Sequence, residues 1–137
     1  MATSKTTYLG DLRTESVHLQ SGEKIITDAP VDNKGKGEAF SPTDLLATSL
    51  ANCMITIMGI KARESGINIE GVTCSVTKIM AANPRRVGEI HAELSFPQTY
   101  SDAERELLEH AAKTCPVFYS LHPDINKVIE FKYPAAE

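Results

Sequence analysis

The sequence contains no tryptophan, and aromatic residues make up only 6% of it. Platforms on which nucleic-acid bases stack are therefore poorly supplied. A basic surplus is also missing: 14 Lys and Arg stand against 18 Asp and Glu, a formal net charge of −4. Both features argue against a nucleic-acid partner, because phosphate-backbone binders show a basic excess or stripe. No long apolar run occurs. The longest stretch without a charge, Leu45 to Ile60, has sixteen residues and carries Thr48, Ser49, Asn52 and Thr56. It is too short and polar for a membrane span and suits a buried helix, so no membrane partner is expected. Met1 to Thr7 has one Lys and no apolar run, unlike a secretory signal. The three cysteines, Cys53, Cys74 and Cys115, then point to a reducing, cytoplasmic compartment. There they are free or catalytic rather than a disulfide framework. The chain has no Cys-x-x-Cys, no His-x-x-x-His and no Gly-x-Ser-x-Gly, and Gly35-Lys36-Gly37 is too short for a phosphate loop. No metal and no cofactor are expected.

What is present is a globular composition of 137 residues, 42% hydrophobic and 23% charged, enough to bury a core as one domain over residues 1–137. Thr6 to Leu12, Ser16 to Leu19 and Lys24 to Thr27 are compatible with short strands. The segment Asp28 to Phe40, with Pro30, Asn33, Gly35 and Gly37, reads as a long, mobile polar loop. Ser41, Pro42 and Asp44 form a helix start, a capping box in its Asp form, and Gly66 is the stop signal. The helix is predicted over Thr43 to Glu64. Leu46, Leu50, Cys53, Ile57 and Ile60 share one face, while Leu45, Ala47, Ala51, Met54 and Met58 fill much of the rest. A helix apolar on most sides is buried on most sides, which a chain this short arranges best as a homodimer.

Val72, Cys74 and Val76 alternate with polar residues, as do Ile90, Ala92, Leu94 and Phe96. Both segments read as strands with one wet face, joined by the turn Asn83-Pro84-Arg85-Arg86. Ser101 and Glu104 open a second helix as a capping box, and Pro116 ends or kinks it at Cys115. Asn126 to Tyr133 closes as a strand. The order implies an α+β arrangement.

The cysteines carry the chemistry. Cys53 lies in mid-helix, far from the helix N-terminus, and burial alone makes a thiol inert. It is either a small core residue or, with a cation beside it, a nucleophile. Cys115 has the same two readings and sits at a helix break. The two could face each other and cycle between dithiol and disulfide, although spacing does not establish that. Cys74, on the face of Val72 and Val76, reads as core. His91 and His110 read as solvated surface.

Ser41-Pro42-Thr43-Asp44-Leu45-Leu46-Ala47 followed by Leu50-Ala51-Asn52-Cys53, together with Thr114-Cys115-Pro116-Val117 and Ser120-Leu121, resembles the two motifs of the OsmC/Ohr family. The resemblance runs from about Tyr8 to Phe131. It implies an OsmC-like α+β fold: antiparallel sheets wrapped around two long central helices in an intertwined homodimer, with active sites at the subunit interface. It also implies reduction of organic hydroperoxides by a two-cysteine mechanism. Cys53 would be peroxidatic and Cys115 resolving, with an external dithiol, of lipoyl type in family members, as reductant. Arg13 matches the arginine that activates the thiolate and binds the peroxide. One position departs from the family's peroxidases: the glutamate that follows the helix proline and holds the arginine is Thr43 here. Glu38 is the candidate substitute. The departure leaves a second expectation open, a non-catalytic or weakly reactive ligand-binding or redox-sensing protein on the same dimeric scaffold.

Overall fold

The computed structural model describes residues 1–135 and divides into two compact units, Met1–Leu45 and the chain from Leu46 on. The first unit is a three-stranded antiparallel sheet of order β1-β2-β3, with β1 Ser4–Gly10, β2 Arg13–His18 and β3 Lys24–Asp28. Asp11 and Leu12 join β1 to β2, both at positive φ (53° and 62°). That is the signature of the type I′ turn, whose twist matches a hairpin. Leucine is an unusual residue for this backbone, and its strain is borne immediately before Arg13. The polar segment after β3 is tied back on itself. Gly35 N–H donates to Pro30 O, Gly37 N–H to Ala29 O, and Asp28 N–H to Phe40 O. A Cβ on Gly35 would lie 1.7 Å from Ala29 O, so only glycine fits there.

Helix α1, Pro42–Ser65, leads from the first unit into the second. Its N-terminus is the expected box: Ser41 N–H donates to Asp44 Oδ2 (2.9 Å) and Asp44 N–H to Ser41 Oγ (3.1 Å). Its C-terminus is a Schellman motif on Gly66 (φ 69°), with Ile67 N–H donating to Ala62 O. The second unit continues with β4 Thr73–Ala81, β5 Arg86–Ser95, α2 Asp102–Ala112, the short α3 Pro116–Ser120 and β6 Asn126–Lys132. Strand β5 is central in the order β4-β5-β6.

One expectation needs correction. The sheets are not wholly antiparallel: β6 runs parallel to β5. The reason is the connection, because α2 and α3 carry the chain across and return it at the same end, as parallel pairing requires. Within a single chain α1 is buried on one side only. Ala47, Leu50, Ala51, Met54, Met58 and Ala62 face the core, while Leu46 (41%) and Ile60 (50%) stay exposed. By length and composition α1 could cross a membrane, at mean hydropathy 1.5, but its buried residues make it the central helix of this unit's core.

That core joins α1 to Val87, Ile90, Ala92 and Leu94 of β5 and to Leu108, Ala111 and Ala112 of α2. Leu94 is fully buried. Leu94→Ala should lower the unfolding free energy by about 2–5 kcal/mol, read from chemical denaturation, because the lost methyl groups leave a cavity that the sheet cannot close. Phe96, Tyr100 and Tyr133 stack at one edge, with the Arg105 guanidinium 4.3 Å from the Tyr133 ring centre.

Candidate active site

The residues singled out by the sequence fall into two groups, one in each unit. In the first unit Arg13 opens β2 and Asp28 closes β3, and the two are direct partners in the strand register. Their side chains meet as a fork: Arg13 Nε donates to Asp28 Oδ1 at 2.7 Å and Nη2 to Asp28 Oδ2 at 2.8 Å. This bidentate geometry is the strongest way to orient a guanidinium. The Asp28 side chain is fully buried, whereas 28% of Arg13 remains accessible. Glu38 adds two contacts from the following loop. Its backbone N–H donates to Asp28 Oδ2 (3.2 Å), and its carboxylate accepts from Arg13 Nη2 at 3.3 Å.

The charges act accordingly. The Arg13 hydrogen bonds hold the Asp28 carboxyl below its usual range against the opposing effect of burial. The Asp28 hydrogen bonds likewise hold Arg13 charged, with Glu38 a lesser contributor. Glu38 is the candidate that the sequence offered for holding the arginine. Asp28 is the residue that sequence reasoning missed: the sequence places it at the start of the polar loop, and the structure makes it the last residue of β3. The available signal was an acidic residue continuing Ile25-Ile26-Thr27 directly into a strand end, where burial demands a cation.

In the second unit Cys53 is half-buried on α1, and Cys115 is fully buried. The break predicted at Pro116 is the gap between α2 and α3. Pro116 takes the first position of α3, and Cys115 is its N-cap in extended backbone. Cys115 Sγ accepts the Phe118 N–H at 3.4 Å, so the sulfur fills the role usually played by a serine or aspartate oxygen. Cys53 and Cys115 are side-chain neighbours with free thiols. Burial pushes the Cys115 thiol up, the Phe118 N–H opposes this, and a hydrogen bond and charge from Cys53 push it further. The Cys115 thiol is thus held in its protonated form at neutral pH. Cys74 stands apart on β4, where burial also raises its thiol.

Two neighbouring thiols, one in mid-helix on α1 and one at the N-cap of α3, define a thiol-pair site on an α+β scaffold. A family model described as OsmC-like protein matches residues 35–130, and the chain belongs to that family. A crystal structure from Psychrobacter arcticus 273-4, described provisionally as an osmotic stress induced and detoxification response protein, is 60% identical. It covers 96% of each chain with a TM-score of 0.93. An organic hydroperoxide resistance protein OsmC from Legionella pneumophila has the same fold at 16% identity, with a TM-score of 0.75 over 96% of this chain and 98% of that one. A structure from Vibrio cholerae, described provisionally as an organic hydroperoxide resistance protein with captopril in one of its active sites, matches at 16% identity and a TM-score of 0.74. It covers 99% of this chain and 95% of that one. No curated protein matches the chain.

Proposed function

We propose that the protein is a cytoplasmic, homodimeric, thiol-dependent peroxidase that reduces organic hydroperoxides to alcohols. The observation that carries this reading is the neighbouring pair of free thiols, Cys53 half-buried and Cys115 sealed at a helix cap. The Cys53 thiolate attacks the peroxide oxygen that carries the proton, the O–O bond breaks, and the alkoxide leaves and takes up a proton. Cys53 is now a sulfenic acid. The Cys115 sulfur attacks it, a Cys53–Cys115 disulfide forms, and water leaves. An external dithiol, of lipoyl type by family resemblance, returns both thiols and is itself oxidised to a disulfide. The balance is one hydroperoxide and one dithiol in, one alcohol, one water and one disulfide out. Arg13, held by Asp28 and Glu38, is the cation assigned to thiolate activation and peroxide binding. A deprotonated thiol needs such a cation because Cys53 lies in mid-helix, beyond the reach of the helix N-terminus.

The test is mass spectrometry of the intact protein after one equivalent of cumene hydroperoxide, followed by peptide mapping. A Cys53–Cys115 disulfide within seconds is expected. Slow oxidation of an exposed thiol, with no disulfide, would favour the ligand-binding or redox-sensing alternative.

The homodimer rests on what the chain leaves uncovered. Leu46 and Ile60 are exposed on α1, and nearly all of β1 is exposed, including Tyr8 and Leu9. Apolar area of this kind marks an interaction surface. Ile60→Glu should convert a dimer of about twice 14.9 kDa into monomer, read by sedimentation or light scattering. An unchanged mass would remove α1 from the interface.

A further inference from the structure

Helix α3 does not hold itself in place. Its five residues are far too few for a helix that stands alone, and none of them is fully buried. Its position depends on the groups that tie it down. One tie is at its start, where the Phe118 N–H donates to Cys115 Sγ at 3.4 Å. Another comes from β6. Lys127 is the register partner of the fully buried Ile90, so it leaves β6 on the core-facing side, in line with Ile129 and Phe131. An apolar residue is the default on that face, and a lysine there calls for a reason. Its ammonium makes two contacts. It donates to Ile125 O at 3.0 Å, and it lies 5.2 Å from the centre of the Phe118 ring. The first contact secures the turn before β6, which Ile125 N–H closes on His122 O. The second is a cation–π contact to α3. Lys127 therefore joins β6 to the residue whose N–H reaches the sulfur.

We propose that Lys127 is a positioning residue for Cys115: by holding Phe118 against the start of β6, it fixes the N–H that orients the Cys115 sulfur toward Cys53. The inference rests on the reading of Cys115 as the thiol that closes the disulfide. In that reading the sulfur has two tasks. As N-cap it accepts the Phe118 N–H, and as nucleophile it presents a lone pair to the sulfenic sulfur of Cys53. The S–S bond forms as the S–O bond breaks, and the thiol proton leaves with the oxygen as water. Both tasks are met together only while the sulfur keeps one orientation, and the N–H is what holds it. The same N–H favours the charged form of the sulfur against the effect of burial. The attack of Cys53 on the peroxide comes earlier and does not use this contact. Lys127 thus acts on the second step and not on the first.

The test follows both steps in the full chain after one equivalent of cumene hydroperoxide. Lys127→Met keeps an unbranched stem and removes the ammonium. It should slow disulfide formation about tenfold, the size expected of one partly desolvated cation–π contact, and leave alcohol release within about twofold. Lys127→Arg keeps a donor and a cation over the ring, and should restore the rate. Phe118→Leu should slow the same step, and adding Lys127→Met to it should cost little more, because the ring is already gone. A second readout needs no peroxide. In Cys53→Ser the Phe118 amide proton should move upfield with Lys127→Met and return with Lys127→Arg. An unchanged disulfide step in Lys127→Met, both steps slowed alike, or no recovery in Lys127→Arg would overturn the proposal. So would a lowered melting temperature with none of the kinetic changes, which would make Lys127 a packing residue only. If the wild-type chain forms no disulfide, the peroxidase reading fails, and the Phe118 amide decides the role of Lys127 by itself: an amide that ignores Lys127→Met sinks it.

Discussion

Cys53→Ser is expected to abolish hydroperoxide reduction, to below about one part in a thousand of the wild-type rate. Loss of a covalent nucleophile removes the whole reaction path rather than one stabilising contact. Cys115→Ser should behave differently. Its first turnover should proceed, releasing one equivalent of alcohol and leaving a sulfenic acid on Cys53, and then stall for want of a partner thiol. Rapid mixing with one equivalent of hydroperoxide, with a sulfenic-acid trap, reads both outcomes. Full turnover by Cys53→Ser would overturn the assignment of roles.

The surroundings of Cys115 add a pH signature to the same experiment. Burial and the Cys53 neighbour hold its thiol above the ordinary range. The protonated form is the poor nucleophile, so disulfide formation should quicken as pH rises toward that raised value, with the alcohol already released. A disulfide step independent of pH over that range would mean that Cys115 is not the attacking group.

Much of this arrangement was legible in the sequence, and the exceptions have a common cause. Local signals carried well. The Ser41–Asp44 and Ser101–Glu104 boxes, Gly66 and Pro116 each act through the backbone within a few residues, so helix ends follow from spacing alone. The alternation of Ile90, Ala92 and Leu94 gave the core face of β5 for the same reason. Pairings between distant segments were not legible. The parallel direction of β6 depends on where two helices deliver the chain. The choice of Ala47, Met54 and Met58 over Leu46 and Ile60 as the buried face of α1 depends on which side the sheet covers, and an all-round apolar helix does not record that. The neighbourhood of Cys53 and Cys115, sixty-two positions apart, is one of two readings the residues leave open, and only family resemblance chooses it.

Asp28 is the clearest instance of what register decides, and its replacement has the second largest expected effect. A strand register shifted by one residue would turn Asp28 to the other face and leave Arg13 facing Thr27. In the observed register the two carboxylate oxygens grip the Nε–Nη2 edge of the guanidinium, while Glu38, largely exposed, reaches one nitrogen at 3.3 Å. Asp28→Asn keeps the shape and removes the charge and one acceptor. It should lower the rate of Cys53 oxidation by about 10²-fold through misorientation of Arg13. Glu38→Gln, which leaves the fork intact, should cost much less. Acid stability supplies a readout that does not depend on catalysis. The folded carboxyl titrates below its unfolded value of about 3.9, so its stabilising contribution is complete above that pH and is lost as pH falls through the folded value. Asp28→Asn should therefore flatten the acid limb of the stability-against-pH curve. If both variants oxidise at the wild-type rate, Arg13 is not the group that activates the thiolate. If Glu38→Gln is the slower of the two, the loop carboxylate rather than the strand register is what positions it.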